Sequence, residues 1–259
     1  MQASELIVDR DEPGILQLSL NRPAQLNAWT PSLEAELFAA LDAAASDPTV
    51  RVVVITGSGR GFCAGASMDM LGDAPGPRDR PRRRLSEIAA LPKPVVAAIN
   101  GPAAGIGLAM ALWCDVRICA DDAKLTTAFA RVGLVAEHGT AWLLPQIVGR
   151  AHAADLLLSG RTITGAEAHA IGLVHRAVER ESTLAAAIDY ARSLVETGAP
   201  SSWAAIKQQL VDADASSMRA AYEHSLELMV PALSSADHRE GIQAWRDRRA
   251  PQFPPLTDR

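Results

Sequence analysis

The sequence contains few cysteines, and their number and spacing argue against a disulfide framework and against a zinc knuckle. Three cysteines in 259 residues cannot make a disulfide framework, and the spacing of Cys114 and Cys119 does not match that of a zinc knuckle. We therefore interpret all three, Cys63 included, as small buried hydrophobic residues of a chain kept in a reducing cytoplasm, without a bound metal.

Basic residues and long apolar runs are also scarce. The chain carries 25 Lys and Arg against 30 Asp and Glu, a net charge of -5, which argues against a nucleic-acid partner bound through a basic face. No apolar run approaches the roughly 20 residues of a membrane span, and the acidic N-terminus does not resemble a signal peptide. We expect a cytoplasmic protein without a nucleic-acid or membrane partner. A length of 259 residues is enough for one large α/β domain or two small ones, and a hydrophobic content of 48 % argues against disorder.

The first half of the chain alternates between strand and helix patterns. Apolar and polar residues alternate over 15–20, as in a half-exposed strand. Thr30 followed by Pro31 predicts a helix start ahead of an apolar stripe. The next predicted elements are two apolar strands, a helix of small residues and another strand, over residues 50–56, 95–99, 105–113 and 116–119. This order predicts parallel βαβ units whose sheet is covered on both faces.

Beyond residue 139 the patterns are mostly helical. We predict a helix over 151–159 that ends at Gly160, a second helix opened by a capping box at 164–167, and a strand over 173–178. Three or four helices follow to the C-terminus. The predicted organisation is a core of residues 1–199 and a helical region of residues 200–259.

A glycine-rich loop follows the strand at 50–56, in the stretch GSGRGFCAGASMDML. The Rossmann fingerprint Gly-x-Gly-x-x-Gly would place its last glycine at Phe62 or Ala64, and the acid expected about 20 residues later falls in an arginine run. Neither tyrosine is followed four residues later by the lysine of a short-chain reductase, and the Gly-Lys-Ser/Thr of a P-loop is missing. The sequence therefore disfavours nucleotide chemistry at this loop.

A second loop of small residues, at 101–107, follows the strand at 95–99. Small residues let the backbone approach a ligand, and a helix starting near Gly105 directs its free N–H groups outward. If the two strands are neighbours, one N–H from each loop can meet on a single oxygen and form an oxyanion hole. The alternative at this point is that each glycine only serves a tight turn.

The two loops together resemble the crotonase (enoyl-CoA hydratase/isomerase) superfamily. The likeness extends over nearly the whole chain, in the segments LNRPAQLNA, RVVVITGSGRGFCAGASM, LPKPVVAAINGPAAGIGLAMALWCDVRICA, GLVAEHGTAWLLPQIVGRAHAADLLLSG, TGAEAHAIGLVHRAV and HREGIQAWRDRRAPQF. It implies an α/β spiral of ββα units with a helical C-terminal region that forms a homotrimer, or a hexamer as a dimer of trimers. It also implies an acyl-CoA thioester as substrate, with coenzyme A as part of that substrate and no permanently bound cofactor. Within the superfamily, GTAWLLPQIVGRAHA is most similar to ring-epoxide isomerases of phenylacetate breakdown.

Carried over by position, the resemblance assigns the two oxyanion donors to the backbone N–H groups of Ala66 and Ile106. The family usually has glycine at the second position, so the Ile106 side chain must find room beside the acyl group. The residues that we expect to contact the substrate are Ala64, Gly65, Met68, Gly105, Phe129 and Trp142.

The catalytic acids depart from the hydratase pattern of this superfamily. Hydratases use two glutamates to activate a water, and here Ala109 and Phe129 occupy those positions. Glu137 stands where several isomerase branches have an acid. We expect burial in an apolar pocket to raise the pKa of Glu137, which suits it to take a proton at one carbon and return it at another. The alternative is an acid favoured only by the dipole of a helix that begins near Gly139.

Three further features have a functional and a structural interpretation. Asp69 is either a second acid or a helix-start residue, and His138 either tunes Glu137 or is structural. The arginine run at 78–84 either attracts the phosphates of coenzyme A or belongs to a solvated loop. The favoured function is an acyl-CoA isomerase; the alternatives are an enoyl-CoA hydratase that uses Glu137 or Asp69, and a non-catalytic protein of this fold that binds acyl-CoA.

Overall fold

The computed structural model describes residues 4–67, 70, 83–213 and 218–256. The strands are β1 (Leu6–Asp9), β2 (Ile15–Leu20), β3 (Val52–Gly57), β4 (Val95–Ile99), β5 (Ala103–Ala104), β6 (Val116–Ala120), β7 (Lys124–Thr126), β8 (Ile163–Thr164) and β9 (Arg176–Val178). The helices are α1 (Pro31–Ser46), α2 (Glu87–Ala90), α3 (Ile106–Trp113), α4 (Thr140–Ser159), α5 (Gly165–Ala170), α6 (Thr183–Thr197), α7 (Pro200–Ala213), α8 (Met218–Leu233) and α9 (Ala236–Asp247). Short 3-10 helices occupy Pro23–Gln25, Phe129–Val132 and Arg180–Ser182.

A six-stranded sheet lies at the centre, in the order β1-β2-β3-β4-β6-β9. β1 runs antiparallel to β2, and the other neighbouring pairs are parallel, as the alternation of strand and helix patterns predicts. β3 and β4 are buried along their whole lengths, because α6 packs on one face of the sheet and α1 on the other. Parallel pairing brings the carboxyl ends of β3 and β4 to the same edge of the sheet, so the two small-residue loops leave it side by side.

Helix α1 begins at the predicted residues. The Thr30 hydroxyl accepts the N–H of Leu33 at 3.0 Å, and Pro31 occupies the first helical position, where its missing N–H has no partner to lose. The predicted apolar stripe is confirmed as the buried face of the helix: Leu33, Leu37, Phe38 and Leu41.

The helix predicted over 151–159 is the second half of the longer helix α4. Its first half begins at Thr140, and Gly149 separates the two halves with a φ of 74°. A left-handed residue rotates the helix that follows it, so the apolar positions before and after Gly149 do not share one periodic stripe. That is why the sequence pattern reports only the second half.

Helix α5 and the strand after it show one confirmed prediction and one correction. The capping box is confirmed, since the Thr164 hydroxyl accepts the N–H of Glu167 at 3.1 Å. The strand predicted over 173–178 is shorter and comprises only β9. The N–H groups of Leu173 and Val174 bind the carbonyl of Ala168 at 2.8 and 3.4 Å, so the first residues of the apolar run close the end of α5 instead of pairing with the sheet.

The C-terminal helices differ in how they meet the core. Helix α7 is joined to the sheet by Lys207, a buried residue whose ammonium group binds the Asp115 carboxylate. Helix α8 exposes a row of apolar side chains: Leu226, Met229, Val230 and Leu233. The division of the chain at residue 200 stays a prediction. Within the described residues, no helix has both the length and the apolar character that crossing a bilayer requires.

Candidate active site

Two asparagines hold the glycine-rich loop that leaves β3. Asn27 is fully buried, and its side-chain amide donates to the carbonyls of Ser58 and Gly61 at 3.0 and 2.8 Å. The amide of Asn100, at the end of β4, donates to two further carbonyls of the same loop at 2.8 and 2.9 Å. Buried carbonyls need such partners, so these bonds set the path of the loop.

The loops that follow β3 and β4 are in direct contact. The N–H of Cys63 donates to the carbonyl of Pro102 at 3.1 Å, and the N–H of Ala104 donates to the carbonyl of Cys63 at 3.0 Å. A Cβ on Gly107 would lie 2.2 Å from the Cys63 carbonyl oxygen, so only glycine permits this approach. The neighbouring strands that an oxyanion hole would need are therefore present.

Ala66 and Ile106 each present an N–H group that has no acceptor among the described residues. Trp29 binds the carbonyl of Gly65 at 2.7 Å and the N–H of Ser67 at 2.9 Å, so Ala66, between them, directs its own N–H away from Trp29. Ile106 is the first residue of α3, where helical N–H groups lack an intrahelical partner. Two free donors thus lie on touching loops, and their joint action on one oxygen stays a prediction.

The residues around these donors are small or apolar. Gly65 has a φ of 107° and approaches the carbonyl of Ala104, since a Cβ on it would lie 3.3 Å from that oxygen. Ala64 is half-buried. Phe129 is buried, and its ring lies near Gly105, because a Cβ on that glycine would be 3.9 Å from the ring.

The two positions to which the resemblance assigns the hydratase glutamates carry no acid. Ala109 is fully buried in α3, and Phe129 is 5 % exposed. Neither a methyl group nor a phenyl ring can donate or accept a proton, so a hydratase mechanism that uses this pair of positions is not available to the chain.

Glu137 lies in the segment between the 3-10 helix Phe129–Val132 and α4. Its backbone carbonyl accepts the N–H and the hydroxyl of Thr140 at 3.0 and 2.7 Å, whereas its carboxylate has no partner among the described residues. The side chain is exposed, so the burial expected for it is wrong for the single chain. Leu134 and Val135 of the same segment are exposed as well.

Trp113, at the end of α3, holds the segment that carries Glu137. Its indole N–H donates to the carbonyl of His138 at 2.8 Å, and its ring stacks on that of Trp142 with centroids 6.2 Å apart. Burial lowers the pKa of His138, while the negative charges of Glu137 and Glu34 act in the opposite direction. His138 is therefore favoured as a neutral imidazole beside the proposed acid.

A family profile described as enoyl-CoA hydratase/isomerase matches residues 10–255 of the chain. The chain belongs to the enoyl-CoA hydratase/isomerase family. It is 36 % identical over 258 residues to 1,2-epoxyphenylacetyl-CoA isomerase of Escherichia coli K12, covering 96 % of this chain and 98 % of that protein. It is 33 % identical over 253 residues to 2,3-dehydroadipyl-CoA hydratase of the same organism, with coverage of 96 % and 98 %.

Solved structures of the family confirm the predicted crotonase fold. A probable enoyl-CoA hydratase/isomerase from Mycobacterium abscessus superposes with a TM-score of 0.91 at 32 % identity, over 98 % of this chain and 100 % of that one. The family acts on CoA thioesters, and the chain shares its α/β core and its helical C-terminal region. Relatives named for an isomerisation and for a hydration are both present, so membership of the enoyl-CoA hydratase/isomerase family leaves the reaction itself open.

Part of the predicted site falls outside the described residues. Met68, Asp69 and the arginines before Arg83 are in that category. Arg83 itself is engaged, because its guanidinium binds Asp42 at 2.7 and 3.0 Å and Glu87 at 2.5 Å. It also lies 4.7 Å from the ring centroid of Phe38. Arg83 therefore links α1 to α2. Its bonds to Asp42 and Glu87 would compete with the predicted binding of a coenzyme A phosphate.

The cysteines are buried and free of disulfides, as the sequence predicts. Cys63 is part of the loop after β3, and burial raises the pKa of its thiol to about 11. A thiol that stays protonated is a poor nucleophile, so Cys63 contributes packing and backbone bonds to the enoyl-CoA hydratase/isomerase site. Across the described ranges, no three His, Cys, Asp or Glu residues are grouped as metal ligands would be.

Sequence reasoning missed three residues that shape this site: Asn27, Asn100 and Trp113. Asn100 did carry a signal, because it is an amide placed between the buried strand β4 and a turn of small residues, where loop carbonyls need donors. Trp113 carried none, since the acceptor of its indole N–H lies 25 residues away and is brought near only by the packing of α3 against α4.

Proposed function

We propose that the protein is an acyl-CoA isomerase that moves a double bond, or opens a ring epoxide, through a thioester enolate. The observation that carries the proposal is the distribution of acids. The hydratase positions hold Ala109 and Phe129, whereas Glu137 has a carboxylate without a partner among the described residues, on a segment joined to α3 through Trp113.

The proposed reaction begins when the thioester oxygen accepts the N–H groups of Ala66 and Ile106. These donors stabilise the negative charge that develops on this oxygen, which is the effect of an oxyanion hole. Glu137 takes a proton from C2 of a 3-enoyl thioester, and the electron pair of the broken C–H bond moves into the enolate. A proton returned at C4 completes the shift of the double bond to C2–C3.

The substrate class that we propose is an acyl-CoA thioester with an unsaturated or epoxidised acyl group. Support comes from the relative named 1,2-epoxyphenylacetyl-CoA isomerase, which matches along nearly the whole chain. Trp113, Trp142 and Phe129 place aromatic surface around the segment of Glu137 and the second loop. Coenzyme A enters as part of this substrate.

Hydration is the second candidate, and the relative named 2,3-dehydroadipyl-CoA hydratase favours it. It would need a water activated by Glu137 or by Asp69, in a geometry different from that of the usual glutamate pair. Binding of acyl-CoA without turnover is the third candidate, and it is supported by the absence of both usual glutamates.

The experiment that tests the proposal compares turnover of 3-hexenoyl-CoA and crotonyl-CoA by wild type and Glu137→Ala. We expect wild type to isomerise 3-hexenoyl-CoA and the variant to lose about 100-fold or more in kcat, as removal of a general acid-base does. Glu196→Ala, an exposed acid on α6, is the control that should keep full activity. Hydration of crotonyl-CoA that survives Glu137→Ala, without isomerisation, would contradict the proposal.

We also propose that the chain works as a homotrimer, alone or as a dimer of trimers, and that residues 200–259 supply the contact. Leu226, Met229, Val230 and Leu233 lie at helical spacing on the exposed face of α8, and a row of this kind is typical of an interface. Light scattering coupled to size-exclusion chromatography measures the assembly. The compartment that we propose is the cytoplasm, supported by three free, buried thiols.

A further inference from the structure

Glu34 is an acid on the buried face of α1. Leu37, Phe38 and Leu41 follow it at three, four and seven residues, and all three are buried. Residues at this spacing share one side of a helix, so Glu34 continues the apolar stripe toward the N-terminus of α1. The residue is half-buried. A carboxylate in such a place costs free energy unless it is bonded or used.

The hydrogen bond that Glu34 receives comes from the residue that pairs with Ala66. Trp29 is fully buried, and its indole N–H donates to one oxygen of the Glu34 carboxylate at 3.1 Å. The backbone of Trp29 forms the bridge with Ala66. Glu34 is therefore attached, through a single indole, to the residue that pairs with the loop carrying the first proposed oxyanion donor.

The other direction from Glu34 leads toward Glu137. Burial lowers the pKa of His138, and the charges that oppose this effect are those of Glu137 and Glu34. Two carboxylates from different elements thus act on one imidazole. Glu137 belongs to the segment before α4, and Glu34 to the first turn of α1.

The other acids of α1 have partners that explain them structurally. Glu36 accepts the Ser4 hydroxyl at 2.6 Å and the N–H of Leu6 at 3.1 Å, which ties the helix to β1. Asp42 is bound by Arg83. Glu34 differs, because its second carboxylate oxygen has no partner among the described residues. Its single bond leaves that oxygen available.

We propose that Glu34 is a second proton-transferring carboxylate of the acyl-CoA site, oriented by the Trp29 indole, which delivers the proton that C4 receives. The inference rests on the proposed function and divides its two proton transfers between two residues. Glu137 takes the C2 proton, and the C–H electron pair forms the dienolate of the thioester. The dienolate then takes a proton at C4 from the Glu34 carboxyl, which leaves Glu34 ionised. Glu137 returns its proton to water and Glu34 gains one from water, so the cycle balances.

The test separates the two proton transfers in wild type, Glu34→Gln, Glu137→Gln and the matched control Glu36→Gln. Isomerisation of 3-hexenoyl-CoA is followed by absorbance of the conjugated product. Exchange of the C2 protons in deuterium oxide is followed by mass spectrometry of recovered substrate. For Glu34→Gln we expect isomerisation to fall about 100-fold or more, while C2 exchange stays within about threefold of wild type because Glu137 still performs that step. Glu137→Gln should lose both signals, and Glu36→Gln neither.

Each outcome decides something. If wild type and Glu34→Gln isomerise the substrate at the same rate, this inference alone is overturned. It is also overturned if Glu34→Gln loses C2 exchange together with isomerisation. Wild type that does not isomerise overturns the proposed function, and this inference with it. If Glu34→Gln does not fold, Trp29→Phe carries the test, because it removes the indole donor and keeps an aromatic ring, although a smaller one, at this buried position. Its isomerisation should then fall about tenfold with exchange retained, and an unchanged isomerisation rate overturns the inference.

Discussion

The two sides of the candidate site are built in different ways. The proposed oxyanion side consists of backbone from the loops after β3 and β4, which are buried, bonded to each other and held by Asn27 and Asn100. The proposed acid side is an exposed segment before α4 that one indole hydrogen bond, from Trp113 to His138, joins to α3. A change of side chain on the acid side therefore disturbs little of the core, whereas the same change on the oxyanion side disturbs the sheet.

This difference accounts for a family in which isomerases and hydratases share one fold. Stabilisation of a thioester enolate needs only N–H groups at fixed places, and parallel strands with glycine at their ends supply these. The fate of the enolate depends on which acids reach it. In this chain the position on α3 holds Ala109, and the acids that we propose are Glu137 on the exposed segment before α4 and Glu34 on α1.

The largest loss of stability and turnover that we expect is from Gly107→Ala, a substitution on the oxyanion side. The added Cβ would lie 2.2 Å from the Cys63 carbonyl oxygen, so the two loops must separate. We expect a loss of about 3 kcal/mol in the free energy of unfolding, together with loss of turnover, measured by urea denaturation and by acyl-CoA assay. Gly133→Ala, on the acid side, is the control: it has a φ of 73° but no atom within 4 Å of the added Cβ, so it should cost about 1 kcal/mol. Equal losses for both variants would show that the contact between loops is not what makes the oxyanion side rigid.

A smaller effect is expected from Trp113→Phe, which strikes the acid side. The variant keeps an aromatic ring beside Trp142 but removes the N–H that binds the His138 carbonyl. The free energy of unfolding should fall by about 1 kcal/mol, while kcat falls about tenfold because Glu137 is less well positioned. Trp245→Phe, at an exposed position on α9, controls for the loss of an indole. If kcat keeps its wild-type value in Trp113→Phe, the segment of Glu137 is held by something other than this bond.

The smallest effect that we expect is on the pH dependence of stability, to which His138 on the acid side and His175 beside the sheet contribute. Burial lowers the pKa of His138 and of His175, and the charge of Arg117 lowers the latter further. His175 accepts the backbone N–H of Arg117 at 3.1 Å on the sheet, which requires an unprotonated nitrogen.

Since both folded-state pKa values lie below the ordinary value of about 6.5, the unfolded chain binds more protons as the pH falls through that value. Stability should therefore be full above this value and decline on acidification toward the lower folded-state pKa values. Thermal unfolding between about pH 7.5 and 5 measures this decline. His138→Asn should reduce it, since Asn tolerates the left-handed φ of 55° at that position. A decline as steep as that of wild type in this variant would assign the whole effect to His175.

The local features of the sequence predicted most of the fold. The Thr30 cap, the apolar stripe of α1, the parallel strands and the capping box at Thr164 are confirmed, because each depends on neighbours within one or two turns of chain. Predictions failed where distant contacts decided the result. The strand after Gly172 is shorter than predicted, because the first N–H groups of the apolar run bind the end of α5. Helix α4 is longer than predicted, because Gly149 interrupts the apolar pattern while the helix continues on both sides of it.

By itself, the sequence determined the two loops of small residues, the buried strands that lead into them and the lack of acids at Ala109 and Phe129. Only the tertiary structure decided which groups stand near those loops. Glu137 is exposed in the single chain, Arg83 is engaged with Asp42 and Glu87, and Glu34 is bonded to the residue that pairs with Ala66. The physical reason is that strands, caps and glycine turns follow from local steric preferences, whereas the meeting of α1, α3 and the segment before α4 follows from how their side chains pack.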